Sequence, residues 1–325
     1  MKKANRWIAV LMIIVIVFLG ITAFSLLVKR HAPDKIIFIP KSTSPEFEFW
    51  QTVKMGAEIA AKEENVEIET RGPLLERNID EQKEILKQAI REKYDIILLA
   101  ATNVDALKDL VDEARREGIT LLTVDSTVEG VENVTNVATD SVQAAAVLTQ
   151  YLASLIDKQG EVVMINFVEG ASTAEQRDLG YKQEISKYPK IIMHPTVYTE
   201  GTTSDAYKAT KEVLKKYPNL KGIVASNQQV TDAVCDAIQE MGLKEKIDVV
   251  GFDSSKTIIY ALERDIIDAI VVQKPFNMGY LAVKNALQAY YGKDMPDYVD
   301  TGYKLINKKT LYLTENQKLL YPIIK

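Results

Sequence analysis

Apolar and polar positions divide this chain into two unequal parts. From Trp7 to Val28 no residue carries a charge, and 22 helical residues at ~1.5 Å each reach ~33 Å, enough to cross a bilayer. Beyond them, short apolar β-prone runs alternate with segments of helical period. The pattern predicts strands at Ile36–Ile39, Val66–Thr70, Ile96–Leu99, Leu121–Val124, Glu161–Asn166, Ile191–Tyr198, Gly222–Ala225, Asp248–Gly251 and Ala269–Val272. Helices are expected at Phe49–Glu63, Ile79–Glu92, Val104–Glu117, Ser141–Asp157, Thr173–Lys187, Asp205–Lys216, Thr231–Met241, Lys256–Arg264 and Asn277–Tyr291. Runs such as Ile96-Ile97-Leu98-Leu99 are apolar on both faces, as strands of a parallel sheet between helical layers are. The alternation outlasts one small doubly wound sheet, so two similar lobes are expected, changing over near Thr139 with no low-complexity linker.

The apolar N-terminal run reads as an uncleaved anchor. The competing reading is a cleavable signal peptide with Ala23 and Ser25 as its small cleavage-site residues, but 22 uncharged residues exceed a usual signal core of about 7 to 15. No cysteine follows the run to accept a lipid, so the helix itself would hold the protein. Lys2, Lys3 and Arg6 before it, against Lys29 and Arg30 after it, weakly favour a cytoplasmic N-terminus.

All 45 acidic residues lie beyond this run and five of the 40 basic ones flank it, which leaves the remainder at a net charge of −10. A body this acidic is a poor partner for phosphate backbones, and nucleic-acid binding is disfavoured. Cys235 is the single cysteine; set among Val230, Val234 and Ile238 it reads as a buried, inert thiol. The two histidines, His31 and His194, stand in no HExxH motif, there is no acidic calcium loop, and a metal site has little support. GxSxG, GxxxxGK[ST] and GxG are all missing, so no nucleophile or nucleotide cofactor announces itself.

What remains is a set of polar and aromatic residues placed just after strands, where open α/β sheets bind ligands. Asp125 follows Leu121–Val124, Asn227 follows Ile223–Ser226, Asp253 ends Val249–Phe252, and Gln273 follows Ile270–Val272. Arg177 lies early in the helix after the strand ending at Asn166, and Phe49 and Trp50 open the helix after the first strand. Carboxylates, amides and a guanidinium bind hydroxyls from several sides while aromatic faces cover C–H patches, which fits a small polyhydroxylated ligand. Each has a plainer reading taken alone. Asp125 or Asp253 could cap a helix, Asn227 could stabilise a turn, Arg177 could be a solvated arginine paired with Glu175 or Asp178, and the aromatics could be core.

Phe49-Trp50-Gln51 leading into Lys54-Met55-Gly56-Ala57, Asp125, Arg177 ahead of Gly180-Tyr181, Asn227, the Val-Val-Gly-Phe-Asp run ending at Asp253, and Gln273 before Lys274-Pro275 together resemble the ribose-binding branch of type I periplasmic binding proteins. The similarity runs from about Lys35 to about Tyr303. It implies an α/β fold of two Rossmann-like lobes joined by three hinge crossings, near Thr139, Gln273 and Gly302, after one N-terminal transmembrane helix. The expected parts are a cytoplasmic tail (1–6), the anchor (7–28), a linker (29–34), a first lobe (35–138 and 274–302) and a second lobe (139–273 and 303–325).

Carried over by motif, Phe49 and Trp50 would stack on a sugar with Asp125 beside them. Arg177 and Asn227 would bind hydroxyls from the second lobe, Tyr198 would be a wall, and Asp253 and Gln273 would complete the site near the hinge. Lys41, just after the first strand, is an additional contact. The ribose-binding pattern places Arg directly after the first-lobe Asp, and here that residue is Ser126; Gln228 and Gln229 follow Asn227 where acidic residues are common. Ribose itself is therefore not assumed. The resemblance implies no cofactor and no enzymatic activity. It implies an extracytoplasmic binding protein that closes around a monosaccharide or similar polyol and presents it to an ABC-type importer, the alternative being a sensor that activates a membrane histidine kinase.

Overall fold

The computed structural model describes residue 12 and residues 32–321. The chain divides into two units, Met1–Pro33 and Asp34–Lys325. The expected tail and membrane helix, apart from Met12, and the final residues 322–325 lie outside the described residues. Among the described residues no helix is long and apolar enough to cross a membrane.

In chain order the second unit runs β1 (Ile36–Ile39), α1 (Glu48–Glu63), β2 (Ile68–Thr70), α2 (Ile79–Arg91), β3 (Ile96–Leu99), α3 (Lys108–Arg116), β4 (Thr120–Val124), β5 (Asn136–Ala138). It continues with α4 (Ser141–Leu155), β6 (Gln159–Asn166), α5 (Ser172–Ile185), β7 (Lys190–Met193), β8 (Val197–Tyr198), α6 (Thr203–Lys216), β9 (Leu220–Ala225), α7 (Gln228–Glu240), β10 (Asp248–Phe252), α8 (Lys256–Glu263) and β11 (Ala269–Gln273). Last come α9 (Pro275–Tyr290), β12 (Tyr298–Asp300), β13 (Tyr303–Asn307) and α10 (Thr314–Leu320).

The strands form two sheets, in the orders β12-β5-β4-β3-β1-β2 and β13-β11-β10-β9-β6-β7, with β8 also on β6. All pairings are parallel except that of β11 with β13. Alternating side chains feed opposite faces of each sheet. Ile36 and Phe38 pack with α1 and α9, whereas Ile37 and Ile39 pack with α2 and α3. In the second lobe Val163 and Ile165 join the α6–α8 layer, and Val162 and Met164 join α4 and α5. The two-lobed α/β fold expected from the resemblance is thus present.

The chain passes between the sheets after β5, after β11 and between β12 and β13. Two crossings touch: the Thr139 and Thr301 hydroxyls are 3.3 Å apart, and the Thr301 amide donates to Ala138 O at 2.9 Å. α9 returns to the first lobe and lies against α1 through two glycines. A Cβ on Gly279 would stand 1.9 Å from Val53 O, and one on Gly56 would stand 2.0 Å from Phe276 O. Gly279→Ala is therefore expected to cost ~1–3 kcal/mol by overpacking and to lower the melting temperature by several degrees. A thermal melt checks this, and an unchanged midpoint would show that the two helices separate at no cost.

The single strand expected over Ile191–Tyr198 is two strands, because Pro195 lacks an N–H for the ladder. The short β5, β12 and β13 and the seven-residue α10 were not among the expected elements.

Candidate ligand-binding site

Both sheets change direction of winding in their interior, between β1 and β3 and between β6 and β9, and the carboxyl ends of these strands face one cleft between the lobes. The cleft is lined by Lys41, Phe47, Phe49, Trp50, Glu76, Asp125, Phe167, Thr173, Arg177, Asn227, Gln228, Gln229, Asp253 and Gln273. The lobes meet across it. Val104 N donates to Gly170 O at 2.9 Å, Thr127 N to Ser172 Oγ at 3.1 Å, and Lys41 Nζ to Thr173 Oγ1 at 3.1 Å.

The two lobes use one device at their strand ends. Asp125 after β4 and Asp253 after β10 both have positive φ, 63° and 69°, a conformation unusual for residues other than glycine. Each donates its own N–H to the following strand, Asp125 to Val137 O and Asp253 to Val271 O. Asp253 does not cap the helix that follows it: Ser255 caps α8, accepting from Ile258 N. The strained backbone turns both side chains to the cleft, where Asp125 is 5% and Asp253 7% exposed.

Lys41, which follows β1, is buried and lies 3.3 Å from Asp125 Oδ2, with its ammonium 5.8 Å from the Trp50 ring and 5.6 Å from the Phe167 ring. Trp50 donates its indole N–H to Glu76 Oε1 at 2.7 Å, and Phe49 meets Trp50 edge to face at 5.0 Å. Ser126, in the place where the resemblance expects Arg, bonds Asp125 Oδ2 at 3.2 Å and stands 3.3 Å from Thr173 Oγ1.

Arg177 is 3% exposed and forms none of the ion pairs with Glu175 or Asp178 considered above; Asp178 pairs with Lys182 instead. Its guanidinium stacks 4.2 Å over the Phe252 ring and donates to Ser226 O at 2.5 Å. Asn227 both caps α7, accepting from Val230 N at 3.0 Å, and lines the cleft, so its carboxamide NH2 is the part left to meet a ligand. Gln273 donates to Asp253 Oδ1 at 2.7 Å.

Burial pushes the Asp253 carboxyl above its usual range, with the Arg177 charge and the Gln273 hydrogen bond pulling back. Burial lifts Glu76 likewise, against the Lys41 charge and the Trp50 bond. Among the described residues, four of the eight buried polar side-chain atoms without a hydrogen-bond partner belong to this cleft or border it: Arg177 Nε, Ser226 Oγ, Gln228 Oε1 and Gln273 Oε1. Buried polar groups are rarely left unpaired, so a cluster of them calls for a ligand offering donors and acceptors together.

The cleft brings together Lys41, Phe49, Trp50, Asp125, Arg177, Asn227, Asp253 and Gln273. Tyr198 is not in its lining; it ends β8 beside Asn166 and packs on the second-lobe core. Phe47, Glu76, Phe167 and Thr173 complete the wall without having been singled out as contacts. Phe167 directly follows β6, so the post-strand rule that found Asp125 and Asp253 covers it. Glu76 sits six residues past β2 in an irregular loop and carries no such signal. Cys235 is buried, and burial raises its thiol pKa. Among the described residues no cluster of metal-ligating side chains occurs.

Two lobes joined at three crossings and meeting over a polar, aromatic-walled cleft define a solute-binding protein. Residues 36–294 match the periplasmic binding protein domain, and the chain belongs to that family. It is 23% identical over 266 residues to the ribose import binding protein of Bacillus subtilis strain 168, covering 80% of this chain and 84% of that protein. A sugar transporter structure from Clostridium phytofermentans is 34% identical, with a TM-score of 0.78 over 84% of this chain and 99% of that one. A carbohydrate transporter solute-binding protein from Agrobacterium radiobacter, solved in complex with D-arabinose, is 29% identical with a TM-score of 0.85 over 90% and 100% of the two chains. These relatives bind solutes and are not enzymes, and the ribose-binding-like resemblance agrees with them.

Proposed function

We propose that this chain binds a monosaccharide or similar small polyol between its lobes and presents it to an ABC-type importer. The observation that carries this reading is the cleft itself, where unpartnered polar atoms of Arg177, Gln228 and Gln273 share a lining with aromatic side chains. Hydroxyl groups both donate and accept, and a sugar's C–H faces suit Phe49 and Trp50. The sugar-binding and transport roles named for the relatives support the same reading. We further infer that the uncharged run from Trp7 to Val28 stays attached and holds the protein at the cell membrane with its body outside.

A thermal-shift screen of pentoses, hexoses and polyols tests the binding role, because a ligand of the folded state raises the melting temperature by mass action. No shift with any of them would refute it. Binding is expected to close the lobes, since contacts divided between Lys41, Trp50 and Asp125 on one side and Arg177 and Asn227 on the other are all made only in the closed form. Small-angle scattering should show compaction at saturating sugar, and an unchanged radius of gyration would count against a hinge. Intact mass of the membrane-extracted protein checks the anchor: a mature chain starting after Ser25 would remove it. Cross-linking with and without sugar should capture a permease, and capture of a kinase's external domain instead would replace import by sensing.

A further inference from the structure

We propose that Lys41 and Glu76 form a first-lobe subsite that selects the ligand by gripping two adjacent hydroxyls, the ammonium donating to one oxygen while the carboxylate accepts from its neighbour. The proposal rests on the sugar-binding reading and narrows it to polyols that present a vicinal diol to the first lobe.

Three charged side chains line the first-lobe wall of the cleft: Lys41, Glu76 and Asp125. Lys41 Nζ has three donor directions. One is taken by Thr173 Oγ1 at 3.1 Å, the ammonium is ion-paired with Asp125 Oδ2 at 3.3 Å, and donor capacity remains in a residue that lines the cleft. Packing over Trp50 and Phe167 fixes the ammonium in place, which a lysine on an open surface lacks. Glu76 spends Oε1 on the Trp50 indole, which leaves Oε2 as the second acceptor of a residue that lines the cleft. A donor direction of Lys41 and the second oxygen of Glu76 therefore belong to two residues that both touch Trp50 and both line the cleft, in a wall where Ser126 offers only a hydroxyl already turned to Asp125 and Thr173.

The plainer reading makes Glu76 a prop that orients Trp50. A neutral amide would accept from an indole N–H equally well and would not carry a charge into a closed cleft, where burial disfavours it. A charged acceptor at that depth is accounted for by a donor that arrives with the ligand, as a sugar hydroxyl does.

The test is a coupling cycle on the full chain. The monosaccharide of the panel D-ribose, D-arabinose, D-xylose, D-galactose and D-glucose that binds tightest is measured by calorimetry together with its monodeoxy analogues. Wild type, Glu76→Gln and Lys41→Met are compared, with Glu76→Asp, which withdraws the carboxylate while keeping its charge, as a second probe. Loss of one charge-assisted bond predicts about ten- to a hundredfold weaker binding of the parent sugar by each variant. Deleting one hydroxyl should cost wild type the same amount and Glu76→Gln almost nothing more. Deleting the neighbouring hydroxyl should behave likewise with Lys41→Met.

A prop for Trp50 would instead weaken parent and deoxy sugars alike, and parallel losses across every analogue overturn the proposal. So does parent-sugar affinity unchanged in both variants. If wild type binds none of the panel, the tightest ligand of the thermal-shift screen takes its place, and if that screen also finds none the sugar reading itself fails, which separates that outcome from a failure of the subsite. Melting of each sugar-free variant shows whether it is folded, and Glu76→Asp decides the matter if Glu76→Gln is not.

Discussion

Arg177→Ala is expected to weaken sugar binding by about ten- to a hundredfold or more, since a hydrogen bond to a charged group is worth ~1.5–3 kcal/mol. The guanidinium is 3% exposed, sandwiched against Phe252 at 4.2 Å, and anchored to Ser226 O, so the protein orders it before any ligand arrives. Its Nε has no partner, and a ligand oxygen would supply one. Removing it also strips Asp253 of the charge that most opposes the effect of burial on its carboxyl. Asp253→Ala is expected to lose a similar factor, since its buried carboxyl lines the same cleft. Arg177→Lys should recover little, because an ammonium matches neither the stacking nor the planar fork. Calorimetry on the variants, with melting curves to show that each is folded, reads the effect. Near-native affinity in both alanine variants would mean that the cleft is not where sugar binds.

The alternation of apolar strands and amphipathic helices was legible because parallel strands covered on both faces leave few polar positions, as Ile96–Leu99 and Val249–Val250 show. The short β5, β12 and β13 were not. Tyr298–Asp300 and Tyr303–Asn307 carry polar side chains at positions a buried strand would fill with apolar ones, and they join their sheets at the edges, where pairing rather than periodicity decides. The same locality governs the cleft. Asp125, Asn227, Asp253 and Gln273 were readable because each follows an unmistakable strand, and the strand end fixes its position. Glu76 was not, since a long loop after β2 sets its place and only the folded chain brings it to Trp50. Asn227 shows that the plain and the functional reading need not exclude each other: one carboxamide caps α7 with its oxygen and lines the cleft. Ser126 marks a departure visible in sequence whose consequence, a lysine from another strand end facing Asp125, required the fold.

Acidification is expected to weaken sugar binding, beginning above the ordinary carboxylate range. Burial raises Asp253 and Glu76 from usual values of 3.8 and 4.5, because a carboxylate taken from water loses solvation that its neutral form scarcely needs. A carboxylate accepts a hydroxyl roughly twice as strongly as a neutral group does, so a bound polyol favours the ionised form and lowers both pKa values toward normal. Protons are then released on binding wherever the sugar-free protein still holds them, and each one released makes affinity rise about tenfold per pH unit. The sugar-free fold follows the opposite sign. A carboxyl whose folded pKa stands above its unfolded value contributes stability that is fully present below the unfolded value and is lost as pH rises through the folded one. Acid therefore relieves this local burden on the empty cleft while it loosens the grip on sugar. Calorimetry at falling pH, in two buffers of different ionisation enthalpy, measures affinity and proton release together. Affinity that stays level down to about pH 4, with no proton released, would show that neither carboxyl meets the ligand.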